Sequence, residues 1–250
     1  MQNSGSNSFW ARIAPATKHL LIINVVLWLA AVVIPAQKFD LSNMMALHFW
    51  KGSAFNFIQM FTTMFMHDTH GVWHILFNML TLLMFGSLLE RIFGLKRYLI
   101  FYVLCGLGSS LLLEVMWQFT WPNILLGAVN AQPGATAADV INAINSGHAD
   151  FTLDQFFNSL AAVGASGAIM GLMTAFAMLF PNRRLYIMFI PYPVKAKWAL
   201  IGFFVVSLFL GATGTLSTIA HFGHLGGMIM GFIIILIWKR LGIVNKYGYY

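Results

Sequence analysis

The sequence contains few charged residues. Only 8% of its 250 residues are Asp, Glu, Lys or Arg, whereas 59% are hydrophobic. Soluble globular proteins carry about 25% charged residues, so this composition excludes a water-soluble core. It predicts an all-α polytopic membrane protein, because helices satisfy their own backbone hydrogen bonds in lipid.

Cysteine is almost absent, and Cys105 stands alone in the chain. A single cysteine excludes an intrachain disulfide bond and a cysteine-based zinc cluster. The sequence His-Glu-x-x-His, which marks many zinc proteases, does not occur either. We therefore expect no cofactor and no metal ion.

Six apolar stretches are long enough to cross a bilayer, which takes about 20 residues each. They run over Lys18–Ala36, His70–Arg91, Arg97–Phe119, Phe156–Phe180, Lys197–Leu216 and Ile219–Trp238. We predict a bundle of six transmembrane helices over residues 18–240, with tails at 1–17 and 241–250. An amphipathic helix is expected near residues 137–144, inside the long connection 120–155.

The basic residues are distributed unevenly between the ends of the predicted spans. All of the 14 Lys and Arg residues except Lys38 and Lys51 lie in, or directly beside, the two tails and two of the connections. The positive-inside rule then places both termini in the cytoplasm. Because these residues punctuate apolar stretches and form no patch, we expect a lipid bilayer as the partner and no nucleic acid. The lack of a long N-terminal targeting extension favours a bacterial plasma membrane.

Four polar side chains stand out inside the predicted spans: Ser166, His224, His74 and Asn78. Polar groups in the membrane interior are costly and are therefore candidates for function. At about 1.5 Å per residue, the Ser and both His lie about 22–26 Å from the inner end of their spans. They thus share one depth, several ångströms below the outer surface.

Glycines indicate how two of these spans approach each other. They are Gly164, Gly167 and Gly171 on span four, and Gly227 and Gly231, which follow His224 at the same i, i+3, i+7 spacing on span six. Small residues at this spacing let helix backbones approach closely in lipid. Such packing brings Ser166 and His224 within hydrogen-bond reach.

The combination of these residues favours nucleophilic catalysis. His224 can take the Ser166 proton for attack on a peptide carbonyl and return it to the leaving amine. His74 and Asn78 share a helix face, and with the Ser166 backbone N–H they can donate hydrogen bonds to the oxyanion. Since no acidic residue is placed to orient the histidine, we expect a Ser–His dyad.

At these motifs the chain resembles the rhomboid family of intramembrane serine proteases. The matching residues are Gly164-Ala165-Ser166-Gly167 with Gly171, His224-Leu225-Gly226-Gly227 with Gly231, His74-Ile75-Leu76-Phe77-Asn78, and Glu90, Gly94, Arg97 and Tyr98. The resemblance covers residues 18–240 and implies a six-helix rhomboid-like fold, cleavage of transmembrane protein substrates near a membrane boundary, and substrate access past span five. Where the family often carries Trp-Arg in its first loop, this sequence has Ile58-Gln59.

Two alternatives remain open at this stage. Beside the protease, the first alternative is a catalytically inactive rhomboid-like protein that binds membrane clients, and the second, less favoured one is a metal or haem protein of the membrane. The second alternative rests on five histidines: His67, His70, His74, His221 and His224. Imidazole suits zinc, copper or iron. The sequence leaves the oligomeric state open.

Overall fold

The structure is a computed structural model that describes residues 9–186, 191–212 and 216–244, with the side chains of 212 and 216–220 left out. Parts of the predicted tails, 1–8 and 245–250, lie outside the described residues. So do residues 213–215, where the fifth span was predicted to end.

The described chain is mostly helical. Its helices are α1 (Phe9–Arg12), α2 (Pro15–Val33), α3 (Leu41–Met45), α4 (Gln59–Thr62), α5 (Trp73–Phe93), α6 (Leu95–Ala128), α7 (Ala137–Asn145), α8 (Leu153–Ser159), α9 (Ser166–Leu179), α10 (Ala196–Ala212) and α11 (Leu216–Arg240), with one 3₁₀ turn at Thr63–Phe65. The two-residue strands are β1 (Leu47–His48), β2 (Ala161–Ala162), β3 (Arg184–Leu185) and β4 (Val194–Lys195). The short helix expected near residues 137–144 is confirmed as α7.

Four helices of the described residues are long and apolar enough to cross a bilayer: α2, α5, α6 and the His221–Arg240 part of α11. Two more, α9 and α10, are apolar but shorter. The chain is therefore an integral membrane protein with four candidate spans by length and composition. The count of six spans stays a prediction.

The predicted fourth span, Phe156–Phe180, is not one continuous helix. Helix α8 ends at Ser159, an extended segment follows, and α9 begins at Ser166. Gly164 interrupts the helix because its φ of +142° lies far from helical values. Hydropathy alone did not reveal this break, because the intervening residues are as apolar as the helices.

The third predicted span also differs from the structure, since α6 continues beyond Phe119 to Ala128. Its last turns are buried through Ile124 and Leu125, which join a hydrophobic cluster around Trp117. This cluster packs against two long connections at the end of the bundle where α9 begins, residues 34–72 and 129–165, which are named the first and second outer connections.

The C-terminal ends of α5, α9 and α11 lie at one end of the bundle. The Lys239 amine donates a hydrogen bond of 2.9 Å to the Met178 carbonyl, which joins α11 to α9. The Phe93 and Trp238 rings are 5.0 Å apart, edge to face, and join α5 to α11. Arg91 donates to the Arg12 carbonyl, which brings α1 to the same end.

The buried carboxylate of Glu90 ties α2 to α5. It accepts hydrogen bonds of 2.8 Å from the backbone N–H groups of Ala16 and Thr17 and from the Thr17 hydroxyl. The first turn of α2 lacks intrahelical acceptors for these N–H groups, so Glu90 serves as their cap.

The long outer connections are fastened to each other beside the start of α9. Strands β1 and β2 pair antiparallel, with Leu47 opposite Ala162. The Asp154 carboxylate accepts from the Ser53 N–H at 2.8 Å and from the Ser53 hydroxyl at 2.7 Å. These hydrogen bonds hold the pKa of Asp154 below its usual value. The segment that leads to Ser166 is thereby fixed against the first outer connection.

Candidate active site

Ser166 and His224 are brought together by the packing of α9 against α11. The His224 Nε2 atom lies 2.9 Å from the Ser166 Oγ atom, a hydrogen-bond distance. The two residues are 58 positions apart in the chain, so the contact depends on tertiary structure. A serine hydroxyl that donates to an imidazole nitrogen is the arrangement that a general base requires.

Glycines allow the two helices to approach this closely. A Cβ atom built on Gly227 would overlap the Gly167 backbone carbonyl, and one built on Gly231 would lie 2.8 Å from the Gly171 carbonyl oxygen. Backbone therefore contacts backbone along this seam, and no larger side chain fits without separating the helices.

Gly164 has a different place from the one expected, because it precedes α9 and does not lie on the helix seam. Its N–H donates to the Thr63 carbonyl at 3.0 Å. Its φ of +142° is one that side-chain-bearing residues rarely adopt. A Cβ atom here would lie 3.1 Å from His74 Nε2 and 3.4 Å from Ser166 Oγ. The glycine thus keeps the space between these two side chains open.

His74 lies at the start of α5, and its ring has a defined orientation. The Asp68 N–H lies 3.3 Å from Nδ1 and donates to it. In a neutral ring the proton then resides on Nε2, the nitrogen that faces Gly164. The His67 ring packs against the His74 ring edge to face at 5.2 Å. The geometry therefore presents an N–H donor toward the space beside Ser166.

Asn78 lies one turn further along α5 and is buried, with 6% of its surface exposed. Its amide nitrogen donates one hydrogen bond of 3.0 Å to the His74 carbonyl. A primary amide has two N–H groups, so a second donor is left for another acceptor. Asn78 also lines the cavity that contains Ser166 and His224.

The position of Ser166 as the first residue of α9 gives the site a further donor. The first four N–H groups of a helix have no acceptor within the helix. The positive end of the helix dipole favours a developing negative charge at this point. Ala165, which precedes the helix, provides no side-chain cap that would compete for these donors.

The second nitrogen of the His224 ring, Nδ1, has no hydrogen-bond partner within the described part of the chain. The neighbours of the ring are Phe203 on α10, with centroids 5.9 Å apart, and His221, at 5.8 Å. Aromatic contacts, and no carboxylate, therefore orient this imidazole among the described residues.

Two cavities meet at the Ser166–His224 pair. One, of about 190 Å³, extends toward Ser109, Ser110 and Thr63 and has a partly polar lining. The other, of about 700 Å³, extends between α5 and α10 and is mostly apolar. The partly polar cavity of about 190 Å³ can hold water, because one water molecule needs about 10–15 Å³ of cavity volume.

A family model described as "Rhomboid domain" matches residues 54–240. The chain belongs to the Rhomboid family. The matched range contains Ser166 and His224, and also His74 and Asn78 of α5.

Several curated proteins are similar to this rhomboid-family chain. "RHOMBOID-like protein 1" of Arabidopsis thaliana is 28% identical over 77% of this chain and 36% of its own length. "RHOMBOID-like protein 6, mitochondrial" from the same plant is 26% identical over 76% of this chain and 49% of its own length. "Rhomboid protease AarA" of Providencia stuartii is 25% identical over 69% of this chain and 54% of its own length. The chain thus spans about a third to a half of the length of these relatives.

The five histidines of the metal or haem alternative do not surround one common point. His70 is exposed and pairs with Asp68 at 3.0 Å, whereas His67 is fully buried. Over the ranges that the structure describes, no three His, Cys, Asp or Glu side chains are placed to hold one metal ion. The geometry does not favour a shared metal centre for these residues.

The sequence analysis did not identify α6 as the third wall of the site. Gly226 of α11 packs against Gly108 of α6, and Gly167 of α9 packs against Ser109 of α6, all within the matched rhomboid domain. The run of small residues from Gly106 to Ser110 was the available signal.

Proposed function

We propose that this protein is an intramembrane serine endopeptidase that cleaves transmembrane segments of membrane proteins with a Ser166–His224 dyad. The observation that carries the proposal is the 2.9 Å distance between His224 Nε2 and Ser166 Oγ at the mouth of two cavities. Membership of the Rhomboid family, and similarity to a protein named as a rhomboid protease, support it.

In the proposed mechanism, the Ser166 hydroxyl attacks the substrate carbonyl carbon while His224 Nε2 takes its proton. The carbonyl oxygen becomes an oxyanion, and the His74 Nε2–H, the free Asn78 N–H and the Ser166 backbone N–H donate to it. The C–N bond then breaks, and His224 gives its proton to the departing amine. An acyl ester of Ser166 remains.

Water completes the proposed cycle. A water molecule in the 190 Å³ cavity gives a proton to His224 and attacks the ester carbonyl. The ester C–O bond breaks, Ser166 recovers its proton from His224, and the carboxylic acid product leaves. Ser109, Ser110 and Thr63 line this cavity and supply hydroxyl groups that can hold the water.

The proposal includes the arrangement in the membrane. We propose six spans, with α9 and α10 among them, both termini in the cytoplasm by the positive-inside rule, and the dyad toward the non-cytoplasmic side of a bacterial plasma membrane. Helix α9 has 14 residues, which is about 21 Å at 1.5 Å per residue. In a slab of about 30 Å, Ser166 then lies about 9 Å below one surface. Irregular backbone at that depth is tolerated where it lines a watered cavity.

Substrate access is proposed to run between α5 and α10. The 700 Å³ cavity between these helices is lined by Phe77 and Met84 on one side and Phe203 on the other, and it reaches Ser166. An apolar passage open toward lipid suits a transmembrane segment, which must unwind before its backbone can reach the hydroxyl.

Cleavage of reconstituted substrates tests the proposal. Purified protein in liposomes is incubated with a panel of single-span substrates, and the products are identified by mass spectrometry. We expect cuts near the membrane boundary by the wild type and none by Ser166→Ala or His224→Asn. Ser146→Ala, an exposed serine on the outer connection, is the control that keeps activity. A folded wild type that cleaves nothing would favour the inactive client-binding alternative.

A further inference from the structure

Strands β3 and β4 form a basic hairpin at the end of the bundle opposite Ser166. The hairpin follows the C-terminus of α9, and the Lys239–Met178 hydrogen bond marks this end. Two basic residues lie on its strands, Arg184 and Lys195, and two more lie directly beside them, Arg183 before β3 and Lys197 in the first turn of α10. The proposed dyad does not use any of them.

The register of the hairpin places two cations directly opposite each other. Arg184 pairs with Lys195, and Leu185 pairs with Val194. Leu185 packs against the core, so the neighbouring Arg184–Lys195 pair faces the other way, and both of its side chains are exposed. Like charges directly opposite on a sheet are destabilising. The pair is therefore suited to an anion that lies between the two side chains.

The backbone keeps this pair in place. The Ala196 N–H donates to the Arg183 carbonyl at 2.8 Å, and the Lys197 N–H donates to the Pro181 carbonyl at 3.2 Å. These bonds extend the ladder beyond the two strands toward α10. The two cations thus lie on a fixed frame, which distinguishes them from basic residues on a free loop.

No protein carboxylate neutralises these cations within the described ranges. The one ion pair found there joins His70 to Asp68, on the outer connection. Glu90, near the C-terminal end of α5 at this end of the bundle, already accepts hydrogen bonds from α2. An anion that neutralises the pair would therefore have to come from outside the described chain.

Exposed aromatic side chains beside the hairpin indicate the kind of surface that it faces. Tyr186, Tyr192 and Trp198 flank the hairpin with 75%, 74% and 58% of their surfaces exposed. Tyrosine and tryptophan are enriched at the headgroup level of membranes. The anion available in quantity at that level is a phospholipid phosphate.

We propose that the β3–β4 hairpin binds the phosphate of an anionic phospholipid between Arg184 and Lys195. The Arg184 guanidinium binds two phosphate oxygens side by side, and the Lys195 ammonium binds as a point charge. The flanking aromatic rings lie beside the glycerol backbone and the first part of the acyl chains. The bound lipid removes the cross-strand repulsion in the segment that leads into α10.

Native mass spectrometry of the full chain in neutral detergent tests this site. Phosphatidylglycerol and phosphatidylcholine with identical acyl chains are titrated separately. We expect preferential binding of phosphatidylglycerol, about 25-fold weaker in Arg184→Gln/Lys195→Gln, since each basic residue near an anionic lipid contributes about fivefold. The matched control is Lys96→Gln/Arg97→Gln, an exposed Lys and Arg at the same end of the bundle, which is expected to bind as the wild type does.

Three outcomes would overturn the proposal. Equal losses in the hairpin and control variants would show a general field of positive charge and no site. Displacement of the lipid by inorganic phosphate at a similar concentration would show that the anion need not be a lipid. Retained binding in Arg184→Glu would also contradict it, because that change keeps a favourable opposite-charge pair across the strands while it removes the guanidinium.

Discussion

His224 Nε2 lies 2.9 Å from Ser166 Oγ, and the other nitrogen of that imidazole has no hydrogen-bond partner among the described residues. In a triad, a carboxylate on this second nitrogen fixes the tautomer and stabilises the imidazolium. Here the ring lies against Phe203 and His221. The two-residue arrangement therefore relies on helix packing for orientation.

The proposed oxyanion donors give the first prediction. His74→Ala and Asn78→Ala are each expected to lower turnover by about 10²–10³-fold, the usual cost of one such donor. The substrate KM should change much less, because these donors bind the transition state most strongly. His148→Ala and Asn145→Ala, exposed on the outer connection, are the controls. Initial rates on a reconstituted substrate measure the effect, and wild-type turnover in both α5 variants would remove these residues from the mechanism.

The glycine seam gives the second prediction. Gly227→Ala places a methyl group on the Gly167 carbonyl and forces α9 and α11 apart. We expect a loss of stability of about 1–3 kcal/mol, as overpacking usually costs, together with reduced activity from a longer Ser166–His224 distance. Gly202→Ala in α10 meets no atom within 4 Å and is the control. Thermal unfolding in detergent compares Gly227→Ala with Gly202→Ala, and equal melting temperatures would contradict close backbone packing between α9 and α11.

Gln59 gives the third prediction, because it organises the first outer connection from a buried position. Its side-chain oxygen accepts from the N–H groups of His48 at 3.3 Å and Asn56 at 3.1 Å, and its nitrogen donates to the Ala54 carbonyl at 2.9 Å. Gln59→Leu leaves these groups unpaired, which costs about 1–3 kcal/mol for each buried one.

Chemical denaturation measures the Gln59→Leu effect, and Gln132→Leu on an exposed position is its control. We also expect faster proteolysis of the first connection in the Gln59 variant. A Gln59→Leu protein as stable and as protease-resistant as the Gln132→Leu protein would show that this hydrogen-bond network is dispensable.

His67 gives a prediction about pH. Burial, and then the neighbouring His74 ring, lower the pKa of His67 from 6.5 to about 3. The unfolded chain binds a proton more readily than the folded chain, so His67 favours folding above pH 6.5 and this contribution is lost as the pH falls toward 3. As the pH falls from 6.5 to 3, the free energy of unfolding of His67→Phe is therefore expected to decrease by a few kcal/mol less than that of the wild type.

Unfolding free energies across this pH range compare His67→Phe with His148→Gln. His148 is exposed and its ring hydrogen-bonds only to the Ser146 hydroxyl among the described residues, so its variant should follow the wild-type curve. Identical acid limbs in the wild type and the His67→Phe protein would show that His67 does not become protonated on unfolding in this range.

Much of the fold followed from local patterns in the sequence. Apolar stretches of sufficient length marked α2, α5, α6, α10 and α11, and four of the spaced glycines, Gly167, Gly171, Gly227 and Gly231, marked the seam that brings Ser166 to His224. Both signals act between adjacent turns of one helix, which is why a single sequence carries them.

The remaining features depend on contacts between distant segments. Hydropathy merged α8, the extended segment and α9 into one predicted span, because the positive φ of Gly164 leaves no trace in apolar periodicity. The Asp68 N–H that orients His74, and the α6 wall at Gly108 and Ser109, arise from tertiary packing. A single sequence does not show which distant groups meet in this way, although small residues can indicate that a helix is able to approach another closely.

Mass spectrometry of the purified protein after reaction with a fluorophosphonate probe determines whether Ser166 is a reactive nucleophile. We expect one covalent adduct, on Ser166, formed by the wild type and absent in Ser166→Ala. His224→Asn should form it far more slowly, because the imidazole no longer takes the hydroxyl proton. A folded wild type that remains unlabelled, or a His224→Asn protein that is labelled at the wild-type rate, would contradict the Ser166–His224 dyad.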